Sequence, residues 1–382
     1  MASEPAAATK PGIYLNQAEI DGIKAKIAAG QSPWKAAFDK AKIEADGYLT
    51  QTPLSVTYSG STSHDYYTMK PYDWSNNMPS PCGATHCDGY VNPEADRADY
   101  FAAIKLGAAV RALGLGYAFT GDPRYADKAV VLIRVWCLDP ATYMTPKVFG
   151  SQAIEQFVTF PGLFYGADLI WNYPGWNSTD RQRFGSWVQT FAAHAATLSY
   201  TNNWENWRQV LVASGGALAG DSTLLSNAFS AFKTGLATFI GSDGRMPKEL
   251  GRTLSLDYSI YALNAMTQVA EIARHNGVDL YSYTSSGRNL ELAWDFHVKY
   301  LLDPSSWPWE QYKAYNKDGV ALYEIAYARK QKSTYMSVIT KYGRPMYEQR
   351  TMGPTTLTHS LPLAPPSSSS SPAPPTNVRV RQ

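Results

Sequence analysis

The spacing of apolar residues constrains the fold of this chain more than any other feature. Apolar side chains recur every three or four residues, which gives an α-helix one apolar face, and no comparable stretch alternates with the period of two that is typical of a β-strand. The pattern predicts an all-α fold with helices over residues 100–119, 125–138, 153–171, 183–198, 207–218, 224–240, 254–273, 290–302 and 320–328.

Residues typical of helix ends lie between these segments. Asp122 followed by Pro123 predicts an N-cap and a proline in the first turn, and Asp221 predicts a second N-cap. Asn276 and Gly277 predict a C-terminal stop. We therefore expect paired helices that are joined by short turns.

Paired helices of this number form either a superhelical solenoid or a toroid closed around a cleft. A solenoid would repeat with a period of about 34 to 47 residues, and the chain shows no such self-similarity. We predict an incomplete (α/α) toroid over residues 13–361. Residues 58–99 are polar, aromatic and without helical periodicity, and a loop this long is usually functional, so we expect a lid over the cleft.

The ends of the chain differ in composition from this domain. Residues 1–12 predict a flexible N-terminal segment, and residues 362–376 a Pro- and Ser-rich linker. Residues 377–382 resemble the start of a fibronectin type III module, as in secreted bacterial carbohydrate-degrading enzymes, although a disordered tail is the alternative. We expect a secreted protein whose signal peptide is absent from this sequence, because its first residues lack basic and apolar signal regions; a cytosolic protein is the other possibility.

The three cysteines divide into a close pair and a single residue. Cys82 and Cys87 are near enough in sequence to close a small disulfide loop. Cys137 lies within an apolar helical segment, which predicts a buried free thiol.

Charge and motifs exclude several function classes. A net charge of +2 without a long Lys or Arg run argues against nucleic-acid binding, and no stretch approaches the roughly 20 apolar residues that would cross a membrane. Spaced metal ligands, a Gly-rich phosphate loop and a serine-nucleophile motif are all missing from the sequence. We expect a monomer with no cofactor and no metal.

Several motifs together resemble the alginate lyase superfamily of (α/α)-toroid polysaccharide lyases. The resemblance is carried by residues 65–74, 87–94, 121–126, 201–207 and 243–252, with Leu256, Tyr258 and Tyr261 after them. It covers most of the chain from the lid to about Tyr281. It implies a lyase that cleaves a 1,4-linked polyuronate, such as mannuronate-rich alginate or glucuronan, by metal-independent syn β-elimination.

Such an elimination needs three functions. The uronate carboxylate must be neutralised so that the neighbouring C5 proton becomes acidic, a base must take that proton, and an acid must protonate O4. The resemblance assigns neutralisation to Asn203 and Arg252 and proton transfer to Tyr258. Relatives carry a histidine directly after this asparagine, whereas this chain has Trp204.

Each assigned residue also has a structural alternative. Asn203 or Asn202 could cap a helix, Arg252 could pair with Glu249, and Tyr258 could be a core tyrosine. If one helix spans residues 252–258, Arg252 and Tyr258 lie roughly sixty degrees apart on it.

Ten further residues are predicted to bind substrate. Six lie in the lid, where either histidine could supply the missing imidazole, and the others flank the catalytic set; for Trp207 the alternative, core packing, is favoured over sugar stacking. They are His64, Tyr66, Lys70, Tyr72, His86, Arg97, Asn202, Trp207, Glu249 and Tyr261.

Two other functions fit the same sequence. A glycoside hydrolase of this fold could use Glu205 and Glu249 as its carboxylate pair. A non-catalytic carbohydrate-binding protein would need only the aromatic cleft.

Overall fold

The computed structural model describes residues 9–58, 62–74, 79–149 and 152–363. All regular secondary structure in these ranges is helical, so the all-α prediction is confirmed. The helices are α1 (Gln17–Ala28), α2 (Trp34–Tyr48), α3 (Ala98–Thr120), α4 (Pro123–Cys137), α5 (Ala153–Leu169), α6 (Ser178–Ala196), α7 (Asn203–Ala219), α8 (Ser222–Phe239), α9 (Ser255–His275), α10 (Leu290–Leu302), α11 (Leu322–Lys330), α12 (Ser333–Tyr342) and α13 (Thr355–His359).

The helices form an inner and an outer layer. Helices α3, α5, α7 and α9 contact one another in that order, while α2 and α4 pack on α3, α6 and α8 on α7, and α8 and α10 on α9. The inner helices are buried over most of their surface, which explains why several are apolar on all sides. This arrangement is the predicted (α/α) toroid.

Helices α3 and α5 touch backbone to backbone. A Cβ atom at Gly114 would lie 2.5 Å from the carbonyl oxygen of Gly166, and one at Gly166 would lie 2.2 Å from that of Val110. Nearer the helix starts, a Cβ at Gly107 would lie 2.6 Å from the oxygen of Thr159. Only glycine permits this approach. The glycines hold the N-terminal ends of the two helices side by side.

Helix α3 is long and apolar enough to cross a bilayer by length and composition, a property that the sequence analysis did not anticipate. Its 23 residues pack instead against α2, α4 and α5 in the centre of the domain. Its composition is therefore that of a core helix.

The predicted helix ends are confirmed. Asp122 accepts a hydrogen bond from the backbone of Arg124 at 3.0 Å, Asp221 caps α8, and Gly277 follows α9 with a φ of 76°. Helix α7 begins at Asn203, four residues earlier than its periodicity indicated, because Asn202 caps it. The capping role expected of Asn202 is thus confirmed.

Four helices were missed by the periodicity analysis: α1, α2, α12 and α13. In α2 the buried face consists of Trp34 and the small residues Ala37, Ala41 and Ala45. An alanine stripe contrasts weakly with a polar face, so it gives little periodic signal.

The lid crosses the open end of the toroid. Its two arms are joined by hydrogen bonds from Cys87 N to Tyr72 O at 2.9 Å and from Trp74 N to Thr85 O at 2.7 Å. The predicted disulfide between Cys82 and Cys87 is present. Cys137, as predicted, is a buried free thiol.

The chain before α1 is attached to the toroid. The backbone amides of Gly12 and Ile13 donate to Asp168 Oδ2 at 2.8 and 2.9 Å, and Lys10 lies over the ring of Trp171. Residues 10–12 are therefore anchored, unlike the flexible segment predicted for 1–12. Residues 1–8 and 364–382, which include nearly all of the predicted linker and following module, lie outside the described ranges.

Candidate active site

A cavity of about 550 Å³ lies between the lid and the ends of the inner helices. The lid, the turn before α9, the N-terminal regions of α3, α5, α7 and α9, and two later loops all contribute to it. Its polar and charged lining includes Lys70, Tyr72, His86, Asp88, Arg97, Glu155, Asn202, Asn203, Arg252, Asp257, Tyr258, Tyr261, Asn316, Asp318 and Arg350.

Asn203 is held at the first position of α7 by a buried carboxylate. Its backbone nitrogen donates to Glu249 Oε1 and its side-chain Nδ2 to Glu249 Oε2, both at 2.7 Å. Burial raises the pKa of Glu249, and the two bonds from Asn203 and the charge of Arg252 oppose that effect. One N–H of the Asn203 amide is committed to Glu249, which fixes the orientation of the amide at the cavity wall.

Arg252 is clamped between a lid carboxylate and an aromatic ring. Its Nε and Nη2 donate to the two carboxylate oxygens of Asp88 at 2.9 and 2.5 Å, and its guanidinium carbon lies 3.6 Å from the ring centre of Tyr258. Although burial acts in the opposite direction, the bonds from Arg252 and Thr253 lower the pKa of Asp88. The planar guanidinium is therefore fixed in both position and orientation.

The condition of one continuous helix through Arg252 and Tyr258 is not met. Helix α9 begins at Ser255, so Arg252 lies in the preceding turn. That turn brings Arg252 directly onto the face of Tyr258. The two residues are closer than helical spacing would have placed them.

Tyr258 contacts a second tyrosine that comes from the lid. Its hydroxyl oxygen lies 2.6 Å from that of Tyr72. Burial, followed by the proximity of Tyr72, raises the pKa of Tyr258, whereas Arg252 acts to lower it. At neutral pH the phenol of the free enzyme thus keeps its proton, and of its two neighbours only the Arg252 cation favours loss of that proton.

Two more arginines of the cavity are paired with carboxylates. Arg97 donates to Glu155 Oε1 from Nε at 2.9 Å and from Nη2 at 2.7 Å. Arg350 donates to Asp318 at 2.8 Å and lies over the ring of Tyr261 at 4.8 Å. Among the described lining residues, the cations Lys70, Arg97, Arg252 and Arg350 face the carboxylates Asp88, Glu155, Asp257 and Asp318.

Sequence reasoning missed five of these eight charged residues as members of the site. Asp88 follows the disulfide cysteine Cys87 within a motif that carried the family resemblance, so its position was a usable signal. Asp318 and Arg350 lie far beyond the resembling segments, and no local motif marks them. Their place at the cavity depends on how the chain closes the toroid.

Nine of the thirteen predicted site residues line the cavity. The three assigned to catalysis, Asn203, Arg252 and Tyr258, are among them. The predicted substrate-binding residues that also line it are Lys70, Tyr72, His86, Arg97, Asn202 and Tyr261. The structure therefore brings together most of a set that is spread over almost 200 residues of sequence.

The other four do not line the cavity of the described structure. His64 is turned to the carbonyl oxygen of Tyr143 at 2.5 Å and stacks on that ring. Tyr66 and Trp207 are buried in the core, with 3% and 0% of their surface exposed. Glu249 lies behind Asn203 and acts on the cavity only through it.

The carboxylate pair of a glycoside hydrolase is not formed. Glu205 is bound by Arg208 and Gln209, away from the cavity lining, and Glu249 is occupied by Asn203. These two carboxylates therefore cannot face opposite sides of a sugar ring in the cavity.

Comparison with known proteins gives the same family. The family model for alginate lyase matches residues 53–307. An alginate lyase from Bacteroides ovatus shares 26% identity and a TM-score of 0.78, with 93% of this chain and 100% of that chain covered. Alginate lyase A1-III from Sphingomonas species A1 shares 20% identity and a TM-score of 0.67 over 93% of this chain and 100% of that one. A search of curated proteins found no match.

The family match covers more than half of the chain, including the lid, Asn203, Arg252 and Tyr258. A variant of alginate lyase A1-III complexed with a tetrasaccharide also has this fold, with a TM-score of 0.68 at 20% identity. The chain therefore belongs to the alginate lyase family and is a polysaccharide lyase with an (α/α)-toroid fold.

Proposed function

We propose that this enzyme cleaves mannuronate-rich alginate or glucuronan by metal-independent syn β-elimination and leaves unsaturated uronate ends. The observation that carries the proposal is the clamp of Arg252 on Tyr258, with the Asn203 amide in the same cavity. The relatives that match this chain are alginate lyases, which supports a polyuronate substrate.

In this mechanism Asn203 and Arg252 neutralise the carboxylate of the sugar that loses its C5 proton. Glu249 aims the amide of Asn203, and Asp88 occupies only the Nε and Nη2 edge of Arg252. The Nη1 edge is 3.8 Å from Glu249 and is the part of Arg252 that remains to meet a ligand. Hydrogen bonds from these groups to the carboxylate stabilise the enolate-like intermediate.

Tyr258 transfers the proton in both steps. After substrate binding the phenol first gives its proton to solvent; the phenolate then takes the C5 proton, the C4–O4 bond breaks as the C4–C5 double bond forms, and the phenol returns the proton to O4. The Arg252 guanidinium stabilises the phenolate through the ring face, and the Tyr72 hydroxyl can donate a hydrogen bond to it. The raised pKa of Tyr258 makes formation of the phenolate the demanding step, and it makes that phenolate a stronger base towards the C5 proton.

The substrate follows from the number of proton-transfer groups. In β-D-mannuronate and β-D-glucuronate the C5 proton and O4 lie on the same side of the ring, so one hydroxyl serves both. In α-L-guluronate they lie on opposite sides, and a second group is needed. Trp204 stands where relatives carry histidine, and His86 bonds to Asp73 at 2.7 Å. We expect slow cleavage of polyguluronate.

The test is ultraviolet absorbance of the new double bond, measured on purified polymannuronate, glucuronan and polyguluronate. Absorbance with the first two and little with the third supports the proposal. Equal or faster cleavage of polyguluronate would refute the single-tyrosine mechanism and direct attention to His86. The same assay with chelator tests metal independence, and a metal-reversible loss of activity would contradict it.

We also propose that the enzyme is secreted and acts as a monomer. The lid disulfide supports the first point, since such bonds persist in oxidising compartments. Fractionation of the producing cells and light scattering of the purified protein test the two points separately.

A further inference from the structure

We propose that the Cys82–Cys87 disulfide positions Tyr72 against Tyr258, so that the rate of elimination depends on whether this bond is oxidised or reduced. This role rests on the proposed function, because Tyr258 is the residue to which that function assigns both proton transfers. Neither cysteine is among the described residues that line the cavity. Both act through Tyr72 and are positioning residues.

Tyr72 belongs to an arm of the lid that pairs with the disulfide loop, residues 82–87. The backbone nitrogen of Cys87 donates to the carbonyl oxygen of Tyr72 at 2.9 Å, and that of Trp74 donates to the carbonyl oxygen of Thr85 at 2.7 Å. Both bonds join the arm to the last three residues of the loop. The position of Tyr72 therefore follows the position of the loop.

His86 adds two side-chain contacts between the loop and the arm. Its Nδ1 lies 2.7 Å from Asp73 Oδ1, and its ring meets that of Tyr72 edge-on with the ring centres 6.3 Å apart. The loop thus contacts the carbonyl group of Tyr72, its ring and the residue after it. The hydroxyl at the far end of the same ring lies 2.6 Å from that of Tyr258.

The disulfide loop has little packing of its own to fix its shape. Residues 82–86 are all exposed, whereas Cys87 is buried with 1% of its surface exposed. An exposed segment without an apolar core can take many conformations, and a covalent bond between its ends removes most of them. The disulfide therefore fixes the loop, and the loop fixes Tyr72.

Asp88, which follows the loop, has other attachments. Arg252 and the backbone nitrogen of Thr253 donate to its carboxylate at 2.9 and 3.2 Å, and the Thr253 hydroxyl donates to its carbonyl oxygen at 2.9 Å. These bonds come from the turn before α9 and do not involve the disulfide. Reduction should therefore displace Tyr72 from Tyr258 and leave Arg252 in place, so that proton transfer slows while substrate binding is retained.

The exposed sulfur of Cys82 gives a reductant access to the bond. One thiolate of dithiothreitol attacks Cys82 Sγ, the S–S bond breaks, and Cys87 leaves as a thiolate that takes up a proton. The second thiol of the reductant then displaces Cys82 and closes a cyclic disulfide. Two electrons and two protons pass to the protein, which is left with two thiols.

The experiment measures kcat and KM on the polymer that the wild type cleaves best, with and without dithiothreitol. The variants are Cys82→Ser, Tyr72→Phe and the double variant. The control is Cys137→Ala, which removes the buried free thiol of α4 and should keep both the wild-type rate and its response to reductant. Melting temperatures confirm that each protein is folded.

We expect kcat to fall about tenfold in the reduced wild type and in Cys82→Ser, as for the loss of one hydrogen bond to the reacting phenol, while KM changes by less than about twofold. Reoxidation should restore the wild type, and Cys82→Ser should not respond to reductant. Because the disulfide acts through Tyr72, the double variant should be no slower than Tyr72→Phe alone. An unchanged kcat in Cys82→Ser, or losses that add in the double variant, would overturn the role.

Failure of the proposed function gives a different result. A wild type that forms no double bond on any uronan refutes the lyase mechanism. Hydrogen exchange of the Trp74 and Cys87 amides then tests the positioning role without turnover, because both amides join the arm to the loop. Faster exchange after reduction supports the role, and equal exchange in the oxidised and reduced proteins would overturn it.

Discussion

Two buried carboxylates near opposite ends of α9 are held in contrasting ways. Glu249, behind the cavity, bonds to the neutral amide of Asn203, and burial raises its pKa. Glu271 is also fully buried, yet the groups around it hold its pKa well below the ordinary value. Its partners are Arg274 at 2.7 Å, Tyr281 at 2.6 Å, Arg329 at 3.4 Å and His359 at 3.5 Å.

The two carboxylates have different roles: Glu271 contributes to stability, and Glu249 supports the active site. The side chains around Glu271 join α9 to α11, α13 and, through Glu19, to α1. At Glu249 a neutral amide takes the place of most of that positive charge, and the nearest arginine is 3.8 Å away. Glu249 therefore leaves the Nη1 edge of Arg252 for a ligand. The predictions that follow test whether the two regions are separable.

The largest effect is expected from Tyr258→Phe. It removes one hydroxyl and almost no volume, and that hydroxyl serves both proton transfers. We expect kcat to fall by about 10⁴-fold, the upper end for a single proton-transfer group, without a change in stability. Initial rates and thermal melts measure both. A variant that keeps most of its activity would refute the assignment.

Glu271→Gln should lower the stability of the protein and leave kcat unchanged. It leaves Arg274, Arg329 and His359 around a buried neutral side chain, so we expect a loss of about 3–5 kcal/mol in the free energy of unfolding. Urea denaturation measures it. The matched control is Glu291→Gln, which removes a partly exposed partner of Lys330 and should cost about 1 kcal/mol or less.

The activity of the folded Glu271→Gln protein tests whether the region around Glu271 is independent of the active site. If the two regions are separable, kcat/KM per folded molecule should match the wild type. A large loss of kcat at full folding would show that the charge cluster at Glu271 also supports the reaction.

Arg252→Ala and Asn203→Ala should each lower kcat by about a hundredfold or more, since each removes a donor to the developing charge. Stability should change far less than in Glu271→Gln. If KM rises while kcat is retained, these residues bind the ground state only.

The smallest expected effect is a pH dependence of the stability that Glu19 contributes. Burial alone would raise the pKa of Glu19, but its hydrogen bond and charge interactions with His275 and Arg274 lower it to about 2, against an ordinary value of 4.5. A carboxyl whose folded pKa is depressed stabilises the protein above the unfolded pKa and loses that contribution as the pH falls.

The difference in melting temperature between wild type and Glu19→Gln should therefore be constant above about pH 5 and shrink between about pH 4.5 and 2. A difference that stays constant over this range would show that Glu19 does not contribute through its charge.

The sequence predicted the toroid because helical periodicity is local and nine helices carry it clearly. It missed α2, where alanine forms the buried stripe. At the site, the family resemblance led to Asn203, Arg252 and Tyr258. Trp207 could not be assigned correctly, because α7 is buried on nearly all sides and its pattern does not distinguish core from cavity.

Pairs of residues that are distant in sequence were the other feature that could not be predicted. Arg252 with Asp88 joins residues 164 apart in sequence, and Arg350 with Asp318 joins two loops that lack a motif. Neither pairing follows from local pattern. Both depend on the lid and the closing loops meeting at one opening.

The glycine contact between α3 and α5 has a consequence for engineering this enzyme. Arg97 and Glu155 stand at the starts of these two helices, so the spacing between them is set by backbone contacts at Gly107, Gly114 and Gly166. Lid and loop residues that contact neither Arg252 nor Tyr258 can be randomised to alter substrate range, since they do not set this spacing. A library that varies the three glycines should return almost no folded members. The glycine contact between α3 and α5 is therefore the part of the scaffold to leave unchanged.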